Sequence, residues 1–192
     1  MMLGKDARHE QAQREIIAAC WRLARDEGRL GFSLKEVAAA VGVQAPSLYS
    51  YFASKNAIYD AMFADGNRAF LERMRTVPTS GSPRDTLLAA AAAFIEFCVE
   101  DPVRHQLLFE RTIAGFEPSP AAYAIAGDVI ELMRDEFAKL GIHDPAHLDI
   151  WTALVSGLAA QQLANEPGGS RWSGRVAASV EMFADFVFKE ES

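Results

Sequence analysis

Four times after residue 80 a short polar residue stands directly before a proline: Ser82-Pro83, Asp101-Pro102, Ser119-Pro120 and Asp144-Pro145. Proline lacks the N–H that the first turn of a helix leaves unbonded, and its fixed φ suits that position. A preceding serine or aspartate can accept one of the remaining orphan amides. Each pair therefore marks a helix start, and Asp85 adds a capping carboxylate to the first. Ser54 opens a long helix through about Arg75, and Gly168-Gly169-Ser170 precedes a last helix over about 171–188. No segment alternates apolar and polar residues with period two, so the chain is expected to be all-α, with about nine helices. The alanines Ala89 to Ala93 read as a thin helix face that permits close packing, and no internal repeat is present.

Composition sets the outer bounds. The 192 residues are 50% hydrophobic and 23% charged, which suits a buried core and excludes a disordered tail protein. No apolar run approaches the roughly 20 residues of a membrane span. The opening MMLGKDARHEQAQR lacks the apolar centre of a signal peptide, and a cytoplasmic location is expected. Cys20 and Cys98 fall on apolar helix faces and read as small buried hydrophobes.

The stretch Phe32 to Lys55, FSLKEVAAAVGVQAPSLYSYFASK, carries the functional signal. Ser33 and Glu36 form a capping-box pattern. Val37, Ala38 and Val41 make an apolar stripe, Gly42 turns the chain with a positive φ, and Val43 plugs the gap before the next helix. That helix is expected from about Gln44 to Phe52, with Pro46 tolerated in its first turn and Leu48 and Phe52 facing inward. Ala45, Pro46, Ser47, Tyr49, Ser50 and Tyr51 are left outside. A solvated face is normally rich in Lys and Glu, and this one has neither. Two short helices with such a face are the layout of a helix-turn-helix.

At these residues the chain resembles the TetR family of bacterial transcription regulators. The matching string is VGVQAPSLYSYFASKNAIYDAM, and the stripe Ile16, Ile17, Cys20, Leu23 and Ala24 fits the family's first helix. The resemblance is specific over residues 10–70 and implies a three-helix DNA-binding head there, followed over 83–190 by a larger helical domain for ligand binding and dimerisation. Charge agrees in sign: residues 1–55 carry +2 and the remainder −9, so a mildly basic head docks while an acidic body is repelled by phosphate. Ser33 caps its helix and can offer its hydroxyl or amide to a phosphate. Tyr49, Tyr51 and Lys55 match family positions that grip the backbone, and Lys35 can join them. Gln44, Ala45, Pro46, Ser47 and Ser50 lie where base edges are reached, with Gln44 able to make a bidentate contact to adenine. Lys5 and Arg8, in an arm before the first helix, either follow the minor groove or are simply solvated.

The segment from Pro83 to about Leu140 is rich in aromatic and soft side chains: Phe94, Phe97, Cys98, Phe109, Phe116, Tyr123, Met133 and Phe137. Core packing accounts for any one of them. The resemblance implies an apolar effector pocket in this region, with Phe94, Phe97, Cys98, Phe109 and Trp151 as lining. Convergent polar groups would come from His105, Arg111, Tyr123, Gln161 and Gln162. Trp151-Thr-Ala-Leu-Val-Ser-Gly157 looks like the Trp-x-x-x-x-His-Gly signature of one ligand-domain class, with Ser156 in place of the histidine. The stripes of the last two helices, about 145–165 and 171–188, look wider than one partner helix needs. The resemblance implies that they form a homodimer, which would face a nearly palindromic operator and be released from it by a small apolar molecule.

Enzymatic readings find little support. His143 and His147 have chelating spacing, but Asp144-Pro145 starts a helix between them, so they would not stack. The chain contains no Glu-x-x-His pair, Gly-x-Ser-x-Gly elbow, Walker loop or dinucleotide fingerprint. Neither a metal nor a cofactor is expected. A helical ligand-binding adaptor whose head no longer binds DNA is the alternative from another class, kept open by the uncharged reading face.

Overall fold

The computed structural model describes residues 4–190, and the side chain of Lys5 lies outside the described residues. Those residues form eight α-helices and two 3-10 segments, with no strand among them. Two compact units result among the described residues, one of 4–66 and 103–123, the other of 67–102 and 124–190. Residues 103–123 pack with the first unit.

The first unit begins with α1, Lys5–Glu27. Arg8 is exposed on this helix and belongs to no free arm, because the helix starts three residues earlier. Gly28 ends α1 at φ 67, where its N–H and that of Arg29 cap the carbonyls of Arg25 and Ala24. Helix α2, Leu34–Ala40, opens with the expected capping box between Ser33 and Glu36. Its end is a second Schellman turn, with Gly42 at φ +74, its N–H on Ala39 and that of Val43 on Ala38. Val43 is therefore held by its backbone while its side chain is 37% exposed, so it does not plug the gap. Leu48, Phe52, Val37 and Phe32 fill this core, with Ile16, Ile17 and Cys20 from α1.

Helix α3, Lys55–Arg75, starts on the Ser54 hydroxyl, which accepts from the Ala57 N–H at 3.1 Å. Residues to Gly66 belong to the first unit and those from Asn67 to the second. In the first unit its early turns hold the returning chain. Tyr59 donates to the Leu30 carbonyl at 2.8 Å and packs on Phe116. Asp60 accepts from the Ser119 N–H at 2.6 Å and hydroxyl at 2.8 Å, and Phe63 meets Tyr123. Helix α5, Pro102–Phe109, carries a buried His105 whose ring packs on Phe109.

The second unit is built from α4, Pro83–Glu100; α6, Pro120–Lys139, from Ala124 onward; α7, Pro145–Asn165; and α8, Val176–Glu190. The proline-headed starts fall as expected, and Ser82 with Asp85 closes a full capping box. One aromatic cluster joins Phe70, Phe94 and Phe97, and another joins Phe137, Trp151 and Phe183. The last helix starts later than 171. The side-chain carbonyl of Gln162, a fully buried residue, accepts from the Trp172 N–H at 2.9 Å and the Ser173 N–H at 3.0 Å. That bracket holds residues 172–173 and is followed by a 3-10 turn, Ser173–Arg175, before α8 begins. Arg84 of α4 pairs with Glu181 and Asp185 of α8.

Candidate nucleic-acid interface

The segment expected as an α-helix from Gln44 to Phe52 is a 3-10 helix over Ala45–Ser50. Its bonds span three residues: Ser47 N–H to the Gln44 carbonyl at 2.8 Å, and Tyr51 N–H to Leu48 at 2.9 Å. The Ser50 hydroxyl takes the Ser47 carbonyl at 2.6 Å, and Pro46 supplies no N–H. A turn this short gains little from i→i−4 bonding, and these local bonds favour the tighter winding.

Leu48 anchors the segment inward with 1% exposure, and Phe52 is buried behind it. Gln44, Pro46, Ser47, Tyr49 and Ser50 face out, with Tyr49 at 59% exposure, and Ala45 is half-buried. The sequence-based face is therefore on the surface. Tyr51 is half-buried: its ring stacks on His9 with centroids 5.0 Å apart, and its carbonyl accepts from Gln13 Nε2 at 3.0 Å. Neither His9 nor Gln13 was singled out from sequence, since they lie on a different helix about 40 residues away and carry no motif of their own.

Around this face the charges are arranged unevenly. Lys35 is exposed. Lys55 is half-buried and folds its ammonium over Phe32 and Tyr59, at 5.2 and 5.3 Å from the ring centroids. The Ser33 N–H donates to Glu36 at 2.6 Å, which leaves the Ser33 hydroxyl as its free donor toward a phosphate. That bonding from Ser33 holds the Glu36 carboxyl below its ordinary range, so it stays ionised.

A capped short helix, a glycine turn and an outward, uncharged second helix on a shared core are a helix-turn-helix. Residues 16–62 match the family model described as bacterial regulatory proteins, tetR family. The matched segment is the DNA-binding head of TetR-family transcriptional regulators. An HTH-type transcriptional regulator of Mycobacterium tuberculosis, Rv1816, is 27% identical over 95% of this chain and 85% of its own length. The HTH-type transcriptional activator FasR of Mycolicibacterium smegmatis is 28% identical over 59% of this chain and 52% of its own. A TetR family transcription regulator from Marinobacter aquaeolei superposes with a TM-score of 0.68 at 17% identity, over 94% of this chain and 97% of that one. The regulator FadR of Bacillus subtilis, solved with stearoyl-CoA, gives 0.67 at 14% identity over 88% and 96%. These two structures share the fold. Proteins of this kind regulate transcription and are not enzymes.

The effector residues expected from sequence divide between the two units. Phe94, Phe97, Cys98 and Trp151 are buried in the second unit, and Gln161 is exposed there and accepts from Asn165. His105, Phe109 and Tyr123 belong to the first unit, the latter two 38% and 45% exposed. Trp151 is a core residue between Phe137 and Phe183, with Ser156 half-buried on the same helix. Gln162 is engaged by the turn before α8, and Arg111 is exposed. A cavity of about 110 Å³ does lie in the second unit, between the end of α3, the start of α4 and the end of α6. Met133 and Phe137 line it, and none of the ten residues expected to line or polarise an effector pocket does. His143 precedes the Asp144 cap of α7 and His147 sits in its first turn, so the two share no helical face. Among the described residues no group of three metal-ligating side chains is present.

Proposed function

We propose that a homodimer of this chain binds a nearly palindromic operator and regulates a neighbouring promoter in the cytoplasm, most simply as a repressor released by a small apolar molecule. On this reading residues 10–70 serve DNA binding and 83–190 serve effector binding and dimerisation. The observation that carries it is the outward face of Pro46, Ser47, Tyr49 and Ser50 on a turn whose inner side is locked by Leu48. Gln44, Ala45, Pro46, Ser47 and Ser50 address base edges, and Ser33, Lys35, Tyr49, Tyr51 and Lys55 address phosphates. A two-fold dimer sets the two reading segments about 34–36 Å apart. Ile150, Met182 and Phe186 on α7 and α8 are large exposed apolar side chains that a partner's same two helices would cover.

Effector binding shifts the α3 helix, whose residues are shared by both units, and the head moves with Lys55. DNA affinity then falls by the ratio of effector affinities for the two states. The relative FasR is named an activator, so the sign of regulation is tested separately from binding. Fluorescence anisotropy of labelled genomic fragments at about 50 and 200 mM salt decides the core claim. A specific complex that weakens with salt is expected. Flat signal on every fragment would favour the adaptor reading, which the uncharged face between Gln44 and Tyr51 leaves open.

A further inference from the structure

The cavity in the second unit has the chemistry of a small-molecule site. Its walls are mainly apolar, with Met74 from α3, Leu87 and Ala90 from α4, and Met133, Phe137 and Leu140 at the end of α6. Two charged residues in the lining are already engaged: Arg75 with Glu72 at 2.7 Å and Glu136 with Lys139 at 2.7 Å. Thr79 is exposed. Thr86 is different. It stands in the same wall with 5% exposure, and its hydroxyl is buried with no hydrogen-bond partner. A buried hydroxyl left unpaired costs stability, and native proteins seldom retain one without use. Threonine in a helix populates two χ1 rotamers, so a jump of about 120° redirects the hydroxyl.

Size narrows the occupant. At about 110 Å³ the cavity falls well below the roughly 300–1,000 Å³ of a drug-sized pocket. It is close to the roughly 150 Å³ apolar cavity that holds benzene or xenon. We infer that this cavity is the effector site of the regulator, and that it takes a compact, neutral, largely apolar molecule of about one ring, with one heteroatom bonded to Thr86. The inference rests on the regulatory reading above and names the ligand class for it. A long acyl chain is not the occupant.

The full-length protein tests this without DNA, so failure here and failure of operator binding are read separately. Phenol and benzene are titrated by calorimetry, with the methionine methyl groups followed by NMR. One phenol per chain is expected, with shifts at Met74 and Met133 and none at Met62 or Met182. Thr86→Val keeps the shape and removes the hydroxyl; it should weaken phenol by about fivefold and leave benzene unchanged. Ala90→Leu, which fills the space, should abolish both. Should Ala90→Leu not fold, the methionine shifts of the unmodified protein still decide. Shifts at Met182 alone, no shift, or phenol binding indifferent to Thr86→Val would overturn the proposal, as would stearoyl-CoA shifting Met74 and Met133 more tightly than phenol does.

Discussion

The side-chain amide of Gln13 donates to the backbone carbonyl of Tyr51 at 3.0 Å, joining α1 to the end of the reading segment across 38 residues of sequence. With the His9–Tyr51 stack, it fixes the segment where its own short 3-10 ladder ends.

Replacing Gln13 with alanine removes that bond, worth about 1 kcal/mol. The loss should appear partly in the urea midpoint and partly as an operator affinity reduced by up to about fivefold. Unchanged values of both would show that the segment holds its place without α1.

Leu48 and Tyr49 are neighbours with opposite duties. Leu48→Ala opens a cavity in the head and should cost about 2–5 kcal/mol in chemical denaturation. Tyr49→Ala removes a side chain 59% exposed and should change stability by less than about 0.5 kcal/mol. Operator binding should nonetheless fall about tenfold or more in anisotropy titrations, with dimerisation intact by sedimentation. Dissociation of the Tyr49→Ala dimer would place this residue at the subunit interface and not on DNA.

Burial holds the His105 imidazole below its ordinary value of 6.5, outweighing the pull of Glu110 at 3.3 Å. The unfolded chain therefore takes up that proton first. This contribution to stability is complete above pH 6.5 and is lost as pH falls from there through the lower folded-state value. Melting temperatures across about pH 7.5 to 5.5 should decline in the wild type and decline less in His105→Gln. Glu36, Asp85 and Asp185 do not blur the window: bonding from Ser33, Ser82 and Arg84 holds them below their ordinary values of 4.5, 3.8 and 3.8. An equal slope in both proteins would show that His105 does not contribute to the acid sensitivity.

The Cys20 thiol is buried at 0% exposure, and burial pushes its pKa up to about 12 against the opposing Lys55 charge. At pH 8 it should resist a thiol-specific reagent in the native protein and react on unfolding. Rapid native labelling at Cys20, located by peptide mass mapping, would contradict the packing described for α1.

Much of the helical order was readable along the chain. The Ser33–Glu36 and Ser82–Asp85 boxes, the prolines at 83, 102, 120 and 145, and Gly42 at positive φ all act within a few residues of themselves. The start of α8 is set by a more distant group: Gln162 brackets residues 172–173, and α8 begins at Val176. Aromatic composition cannot tell packing from lining, and in the structure Phe94, Phe97 and Trp151 pack against Phe70, Phe137 and Phe183.

From its sequence alone this protein was determined to be helical, with its turns placed and an uncharged face following Gly42, because capping and periodicity are short-range effects. Only the tertiary structure decided that the reading segment winds as a 3-10 turn fastened by Gln13, that Lys55 lies over two rings, and that a cavity beside Thr86 borders Phe137 of one aromatic cluster. Burial and free volume depend on which distant side chains meet, and no local pattern encodes that meeting.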